Sequence, residues 1–336
     1  MKLFTKRIME GNHLTVNEME KAASLCLSPH TSDIAVTAFL TALRTKGETA
    51  EELAGMATVI QQQSPYTALK LPEVMDNCGT GGDHSNSFNI STTAAFILAG
   101  AGVNVAKHGN RSISSKTGSA DVLEHLGISL QASRNDISTS IQHHSIAFLY
   151  APHIHPALGR LMNIRKQIGL PTIFNTIGPL TNPTSLHAQM IGVYAKEHMR
   201  PIAEALIHLK RKRALIVHGA GGMDEASLAG TNECLLVDQG TITSFSLHPE
   251  DVGLPVRPIE AIQGGDAKTN AAILLRVLRG EKSAYTDTAV LNAALGLFAY
   301  GKVDDVFDGI GFATESIESG RALKTLHALM NQEGVE

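Results

Sequence analysis

Along the first part of the chain, apolar positions recur at helical spacing. Thr15 to Glu18 (TVNE) and Thr49 to Glu52 (TAEE) each carry the hydroxyl and carboxylate of a capping box, which together satisfy early backbone donors of a helix. Between them, DIAVTAFLTALRTKG keeps its apolar side chains on one helical face and stops at Gly47. Beyond Pro65 and Pro72 the period changes. Short apolar runs (VNVAKHG, SIAFLYA, AQMIGVY, RALIVHG) alternate with helical stretches (TTAAFILAGAG, ADVLEHLG, PIAEALIHL). That alternation predicts βαβ units and a mostly parallel central sheet. ECLLVDQGTITSFSLHP folds back around Gln239-Gly240 and predicts a late antiparallel hairpin. From Asn270 onward the pattern is again mainly helical, and no repeat, low-complexity tract or coiled coil interrupts it. The expected architecture is α/β: a small N-terminal helical domain over residues 1–70, then a large α/β domain over residues 71–336.

Composition narrows the class. The 336 residues are 43% apolar and 18% charged, with a net charge of -4. A sizeable core follows, and a general nucleic-acid binder, which carries a basic surface, does not. Cys26, Cys78 and Cys234 lie too far apart for a zinc spacing and form no disulfide framework. The start, MKLFTKRIMEGNH, is too polar for a signal peptide, and no apolar stretch has membrane-spanning length. The expectation is a cytoplasmic protein without a membrane partner.

Four stretches carry chemistry. DNCGTGGDHSNSFNIST (Asp76 to Thr92) links a strand-like run to a helix that starts near Ser91. Gly79, Gly81 and Gly82 permit close backbone approach, and Ser87, Asn89, Ser91 and Thr92 add donors at a helix N-terminus, which favours anions. The loop reads as a phosphate cradle or as a tight turn before an N-cap at Ser91. It matches neither the Walker nor the dinucleotide pattern. Next, Lys107, His108, Asn110, Arg111, Ser112, Ser114, Ser115, Lys116 and Ser119 crowd a segment read as a loop, with Gly109 and Gly118 among them: a second anion-binding surface. Third, Asp224 and Glu225 follow RALIVHGA at a strand's carboxyl end and offer hard oxygens that suit Mg²⁺. Fourth, Arg165 lies on a helical stretch in IRKQIGLPTIFNTIGPLTNP, able to grip a carboxylate in bidentate fashion or to sit on the surface. Gly178, Pro179, Asn182 and Pro183 there read as turn chemistry. The basic run LKRKR (Leu209 to Arg213) reads as a solvated helix end, and HIHP (His153 to Pro156) as packing or site wall.

GTGGD, FNIST, KHGNR, SSKTGSADVLE, RKQIGLPTIFNTIGPLTNP and HGAGGMDE, in this order and over nearly the whole chain, resemble the anthranilate phosphoribosyltransferases of tryptophan biosynthesis. The resemblance implies a nucleoside-phosphorylase-like fold, a segment near 165–188 that joins the small domain, and a homodimer. It implies Mg²⁺-dependent transfer of phosphoribosyl from 5-phosphoribosyl 1-diphosphate to anthranilate. Carried over residue by residue, Gly79, Gly82, Asp83, Ser87, Asn89, Ile90, Ser91, Thr92, Lys107, His108, Gly109, Asn110, Arg111, Ser112, Ile113, Ser114, Ser115 and Ser119 face the phosphoribosyl diphosphate. Gly79, Asn110 and Arg165 face anthranilate, and Ser91, Asp224 and Glu225 the metal. Ser87 stands where the family more often has Thr, and His84 where a small residue is common. The acceptor amine is already neutral, so His108 is expected to donate to phosphate or to orient rather than to act as acid or base. Two rival readings share the architecture: a pyrimidine nucleoside phosphorylase-like enzyme, which KHGNR and GPLTNP disfavour, and a nucleic-acid-binding relative without transferase activity, which the net charge disfavours.

Overall fold

In the computed structural model, which describes residues 1–67, 69–111 and 117–330, four helices open the chain. They are α1 (Lys2–Met9), α2 (Val16–Leu27), α3 (Asp33–Lys46) and α4 (Ala50–Gln62). Both expected capping boxes form, on α2 and α4. Helix α3 ends at Gly47, whose φ of 89° is open to glycine and strained for other residues. Met19, Phe39, Leu40, Leu43 and Met56 fill the bundle with no exposed surface. Leu161, Ile164, Ile173, Ile177 and Leu180, from mid-chain, pack into the same cluster.

The remainder is built on one sheet: β1 (Val74–Asn77), β2 (Val105–Gly109), β3 (Ile146–Tyr150), β4 (Leu186–Gly192), β5 (Arg213–His218), β6 (Asn232–Asp238) and β7 (Thr241–Leu247). The order is β3-β2-β1-β4-β5-β6-β7. The first five strands in that order are parallel to their neighbours, and β5, β6 and β7 are antiparallel. The parallel strands read as continuous apolar runs because helices cover both faces. Gln239 (φ 49°) and Gly240 (φ 83°) make the expected two-residue hairpin turn, whose left-handed pair matches the strand twist.

Helices α5 (Ile90–Gly100), α6 (Ser119–His125), α7 (Arg134–His144), α8 (Ala151–Ile154), α9 (Gly159–Ile168) and α10 (Met199–His208) alternate with the strands. Helices α11 (Ala267–Leu278), α12 (Ala284–Tyr300), α13 (Val306–Glu318) and α14 (Arg321–Met330) complete the chain. Helices α5 and α12 are buried along nearly their whole length, and both are apolar all round rather than on one stripe. No helix of the described residues is long and apolar enough to cross a membrane.

Two features of this fold position the site. Strands β2 and β3 lie on one side of β1 and β4 on the other, so the chain reverses direction at β1, where open α/β sheets leave a crevice. Strand alternation also splits β1 and β2 between two environments. Met75 and Val105 pack in the core that contains α5, whereas Val74 and Ala106 pack on the opposite face.

One expectation fails here. The LKRKR run is not a wholly solvated helix end. Lys210 takes a left-handed φ of 58°, which turns the chain straight into β5. Arg211 is drawn inward, where Nη1 donates to the Leu186 carbonyl at 3.4 Å and burial pulls its pKa down to about 10. Arg213 binds Asp238 at 2.5 Å and donates to the Phe298 and Ala299 carbonyls.

Candidate active site

Three carboxylates meet at the switch point. Asp83 ends the glycine loop after β1, and Asp224 and Glu225 lie in the loop after β5. A ligand oxygen from each falls within 4.8 Å of the others. Asp224 is only 7% exposed. Burial, then the charge of Asp83, pushes its pKa up to about 7, although the Gly81 N–H donates to Oδ2 at 2.6 Å. Glu225 is pushed well above the carboxylate range by burial and then by Asp224 and Asp83, with Lys107 and the Ser91 N–H opposing. The second oxygen of Asp83 is buried without a partner. Hard anionic oxygens that repel one another in a low-dielectric site fit a divalent cation such as Mg²⁺. The sequence paired only Asp224 and Glu225 with Ser91 in that role; Asp83 joins them in space.

Close backbone approach makes the cluster possible. A Cβ on Gly79 would collide with Asp224 Oδ2, one on Gly192 with the Asp224 carbonyl, and one on Gly219 with the Glu225 carbonyl. The acidic loop is therefore seated on glycines at the carboxyl ends of β1, β4 and β5. Thr80 N–H, donating to the Gly192 carbonyl at 2.9 Å, ties the first of these loops to the second. Gly192 and Gly219 escaped the sequence reading: the first lies inside the apolar run AQMIGVY and the second ends RALIVHG.

Helix α5 begins at Ile90, with Asn89 as its N-cap and no N-cap at Ser91. The Asn89 side chain makes no cap bond. Its amide instead donates to the Thr117 carbonyl at 3.4 Å, and its oxygen accepts from Asn270 at 2.8 Å. The α5 N-terminus thus keeps its field for an anion. Thr92, 1% exposed, holds its hydroxyl there without a partner. His84 and Asn86 adopt left-handed φ values of 58° and 52°, and Gly82, at 89°, lies against Tyr194. This bend delivers Ser87 and Phe88 onto the 262–265 segment. Phe88 N–H donates to Ile262 at 3.1 Å, and Gly264 N–H donates to Asn86 at 2.8 Å. The sequence reading missed that supporting segment altogether.

Lys107, His108 and Gly109 lie in β2, not in a loop. The Lys107 ammonium donates to the Asn77 carbonyl at 3.2 Å. His108 packs edge-on against His155, with ring centroids 5.5 Å apart. Burial depresses both histidines, His108 to about 3 with further help from His155 and Lys107, and His155 to about 4, so both rings are neutral at pH 7. His153 instead shares a 2.7 Å hydrogen bond with the Tyr66 hydroxyl. The Asn110 carbonyl accepts from the Ser119 hydroxyl at 3.2 Å. Arg111 turns outward to helix α6, where it grips Glu124 at 2.9 and 3.0 Å and Asp121 at 2.9 Å. Ser112, Ile113, Ser114, Ser115 and Lys116 lie outside the described residues. On α9, Arg165 stacks 5.2 Å from the Phe174 ring centroid and donates to Asn175 Oδ1 at 3.3 Å. It has no acidic partner among the described residues, and burial holds it below the usual arginine range.

A carboxylate cluster beside an uncapped helix N-terminus, at the switch point of a mostly parallel sheet, equips an enzyme that handles a metal-bound, phosphorylated substrate. Family models give that class a description. A glycosyl transferase family helical bundle domain matches residues 2–64, and the a/b domain of the glycosyl transferase family matches residues 71–323. An anthranilate phosphoribosyltransferase of Exiguobacterium sibiricum is 53% identical over 336 residues, covering 100% of this chain and 99% of that one. One from Oceanobacillus iheyensis is 52% identical over 330 residues, covering 98% and 97%. Among solved structures, the Thermus thermophilus enzyme superposes with a TM-score of 0.89 at 37% identity, covering 97% of this chain and 98% of that one. The Saccharomyces cerevisiae enzyme, in complex with PRPP and Mg, gives 0.89 at 30% identity, covering 98% and 96%. The chain belongs to the anthranilate phosphoribosyltransferase family.

Proposed function

We propose that this chain transfers the 5-phosphoribosyl group of 5-phosphoribosyl 1-diphosphate to the amine of anthranilate. The products are N-(5-phosphoribosyl)anthranilate and diphosphate, the reaction requires Mg²⁺, and the pathway is L-tryptophan biosynthesis. The observation that carries the reading is the Asp83, Asp224 and Glu225 cluster held beside the N-terminus of α5.

In the reaction the bond from ribose C1 to diphosphate oxygen breaks and a C1–N bond forms, after which the amine sheds a proton. Bound Mg²⁺ stabilises the charge that builds on the departing diphosphate. Asp224 and Glu225, with Asp83 and Ser91, hold the metal. Gly79, Gly82, Ser87 and Asn89 to Thr92 cradle the donor, together with the segment from Lys107 to Ser115 and Ser119. The amine is neutral near pH 7, so no strong base is needed, which agrees with His108 as a neutral ring. Arg165 receives the anthranilate carboxylate and Asn110 and Gly79 border it, so that the amine faces C1.

Mixing the protein with anthranilate, phosphoribosyl diphosphate and Mg²⁺ tests the reading. Anthranilate fluorescence should fall only when all three are present, with diphosphate released in step. No fall from folded protein refutes it. Losing a charged hydrogen bond of about 1.5–3 kcal/mol, Arg165→Ala should raise the anthranilate KM by about ten- to a hundredfold. An unchanged KM removes Arg165 from the site.

The same reading includes a homodimer in the cytoplasm. Leu3 and Met9 on α1 and Ile34 on α3 are 69%, 75% and 82% exposed, apolar surface on the helical bundle that a second copy would cover. Replacing all three with Lys should convert a dimer to a monomer in analytical ultracentrifugation. A wild-type monomer, or a variant that remains dimeric, rejects this interface. Three free thiols accord with a reducing compartment.

A further inference from the structure

On the face of β1 and β2 away from α5 lies a buried carboxylate that the reaction does not use. Asp76 has no exposed surface. Its Oδ1 accepts the His108 N–H at 3.1 Å, and its Oδ2 accepts the Asn182 amide at 3.0 Å. Asn182, equally buried, also donates to the Ala106 carbonyl at 2.9 Å. Its oxygen accepts the Thr184 N–H at 3.0 Å and the Thr184 hydroxyl at 2.8 Å. Each polar atom of the two side chains is therefore engaged. Burial pushes Asp76 up to about 6, and Lys107, Asn182, the His108 N–H and Arg211 restrain that rise, so it is ionised at neutral pH.

The two bonds of Asp76 lead to different parts of the site. One holds the end of β2, which continues through Gly109 to Asn110. The other holds the end of the segment that runs back to Arg165. Gln189 fixes that segment by donating to the Pro179 carbonyl at 2.6 Å, and Gln61 by donating to the Leu180 carbonyl at 2.7 Å. Farther back, Phe174 and Asn175 contact the Arg165 guanidinium directly. Thus the buried pair Asp76 and Asn182 links the strand that bears Asn110 to the segment that seats Arg165, beside the bond of the His108 ring to the Gly178 backbone. The glycine-loop half of the phosphate side is fixed by other means: the glycine seats and the 262–270 network.

We propose that Asp76 and Asn182 are positioning residues that hold Asn110 and Arg165 in register, and so set affinity for anthranilate more than for the phosphoribosyl donor, which the glycine loop also holds. The proposal rests on the assignment of Asn110 and Arg165 to anthranilate. A joint of two hydrogen bonds fixes an offset between elements, which burial alone does not do; buried ionised groups are otherwise weak sources of stability. An error of about an ångström in that offset separates the two contacts that must engage one small ligand.

Steady-state kinetics of Asp76→Asn, Asn182→Ala and the double variant, with Arg165→Ala alongside, test it. Asp76→Asn keeps an acceptor for His108 but sets one amide donor against another. Each single variant should raise the anthranilate KM about tenfold, the loss expected for one charged hydrogen bond. The KM for phosphoribosyl diphosphate should rise less than that for anthranilate, and the Mg²⁺ titration should stay within about twofold of wild type. The double variant should be no worse than Asn182→Ala alone, which already removes the bond to Asp76 along with those to Ala106 and Thr184. Anthranilate KM values that do not move, or that rise no more than the donor KM, overturn the proposal. If neither variant folds, Thr184→Val, which removes one neutral hydrogen bond to Asn182, should raise the anthranilate KM by about fivefold and the donor KM by less; no rise overturns the proposal. An Arg165→Ala enzyme with normal anthranilate KM sinks the acceptor-site reading and the inference with it. A defective Arg165→Ala beside normal Asp76 and Asn182 variants sinks the inference alone.

Discussion

Two buried aspartates near the end of β1 are governed by opposite neighbours. Asp76 is fully buried and Asp224 is 7% exposed, and burial is the first cause raising both pKa values, to about 6 and about 7. Around Asp76 stand donors and cations: the His108 N–H, Asn182, Lys107 and Arg211. Around Asp224 stand two further acids, Asp83 and Glu225, answered by the Gly81 amide and by a hydrogen bond with the Glu225 side chain. The same side chain is a structural joint in the first setting and half of a cation site in the second. What separates the two roles is the sign of the surrounding charge, not the depth of burial.

The largest expected effect tests that difference directly. Asp224→Asn and Glu225→Gln should each raise the Mg²⁺ concentration needed for activity by more than about a hundredfold, since loss of even a supporting partner of a ligand costs about ten- to a hundredfold. Asp76→Asn should leave that requirement unchanged. Metal titrations of activity, with calorimetric Mg²⁺ binding beside them, read both. A normal titration for Asp224→Asn contradicts the metal assignment. Next in size is the glycine seat. In Gly192→Ala the new Cβ lands on the Asp224 carbonyl, so the acidic loop must shift and Mg²⁺ affinity should fall by about tenfold or more. Gly311→Ala, in open space on α13, is the control and should be neutral or slightly stabilising. Equal metal affinity in the two variants rejects the seat.

Much of this was legible from local signals. Capping boxes at Thr15 and Thr49, the Gly47 stop and the Gln239-Gly240 hairpin are short-range chemistry, and the structure reproduces them. The acidic pair and the glycine loop were legible as loops after strands. What stayed hidden is which loops meet. Asp83 reads as a donor contact until strand order brings it to Asp224. Arg111 reads as an anion binder, and nothing beside it in sequence shows that Glu124 and Asp121, one helix further on, also bind it. Asn182 reads as turn chemistry because nothing near it in sequence reveals the carboxylate of Asp76. Periodicity and turn residues specify where elements begin and end; register between distant strands specifies the site, and no local window contains it.

The smallest effect bears on stability without metal. Asp224 rises from an ordinary 3.8 to about 7 in the folded chain, through burial first and Asp83 second. Folded protein therefore binds that proton more tightly than unfolded protein does. The stability it supplies is complete below the unfolded value and is lost as pH rises through about 7. Asp224→Asn removes the charge that appears over this window. Without Mg²⁺ the variant should melt several degrees above wild type at about pH 8, and the gap should close towards about pH 5. Added Mg²⁺ should raise the wild-type Tm at the higher pH and leave the variant unmoved, since a ligand stabilises only the state that binds it. Asp76→Asn should differ in sign. Its carboxylate is answered by donors, so removing the charge sets two amide donors against each other, and the variant should melt below wild type at about pH 8. Calorimetric melting of the three proteins from about pH 5 to 8, with and without Mg²⁺, separates the cases. If Asp224→Asn also melts below wild type at the higher pH without metal, the cluster is not strained by its own charge, and the contrast between the two aspartates collapses.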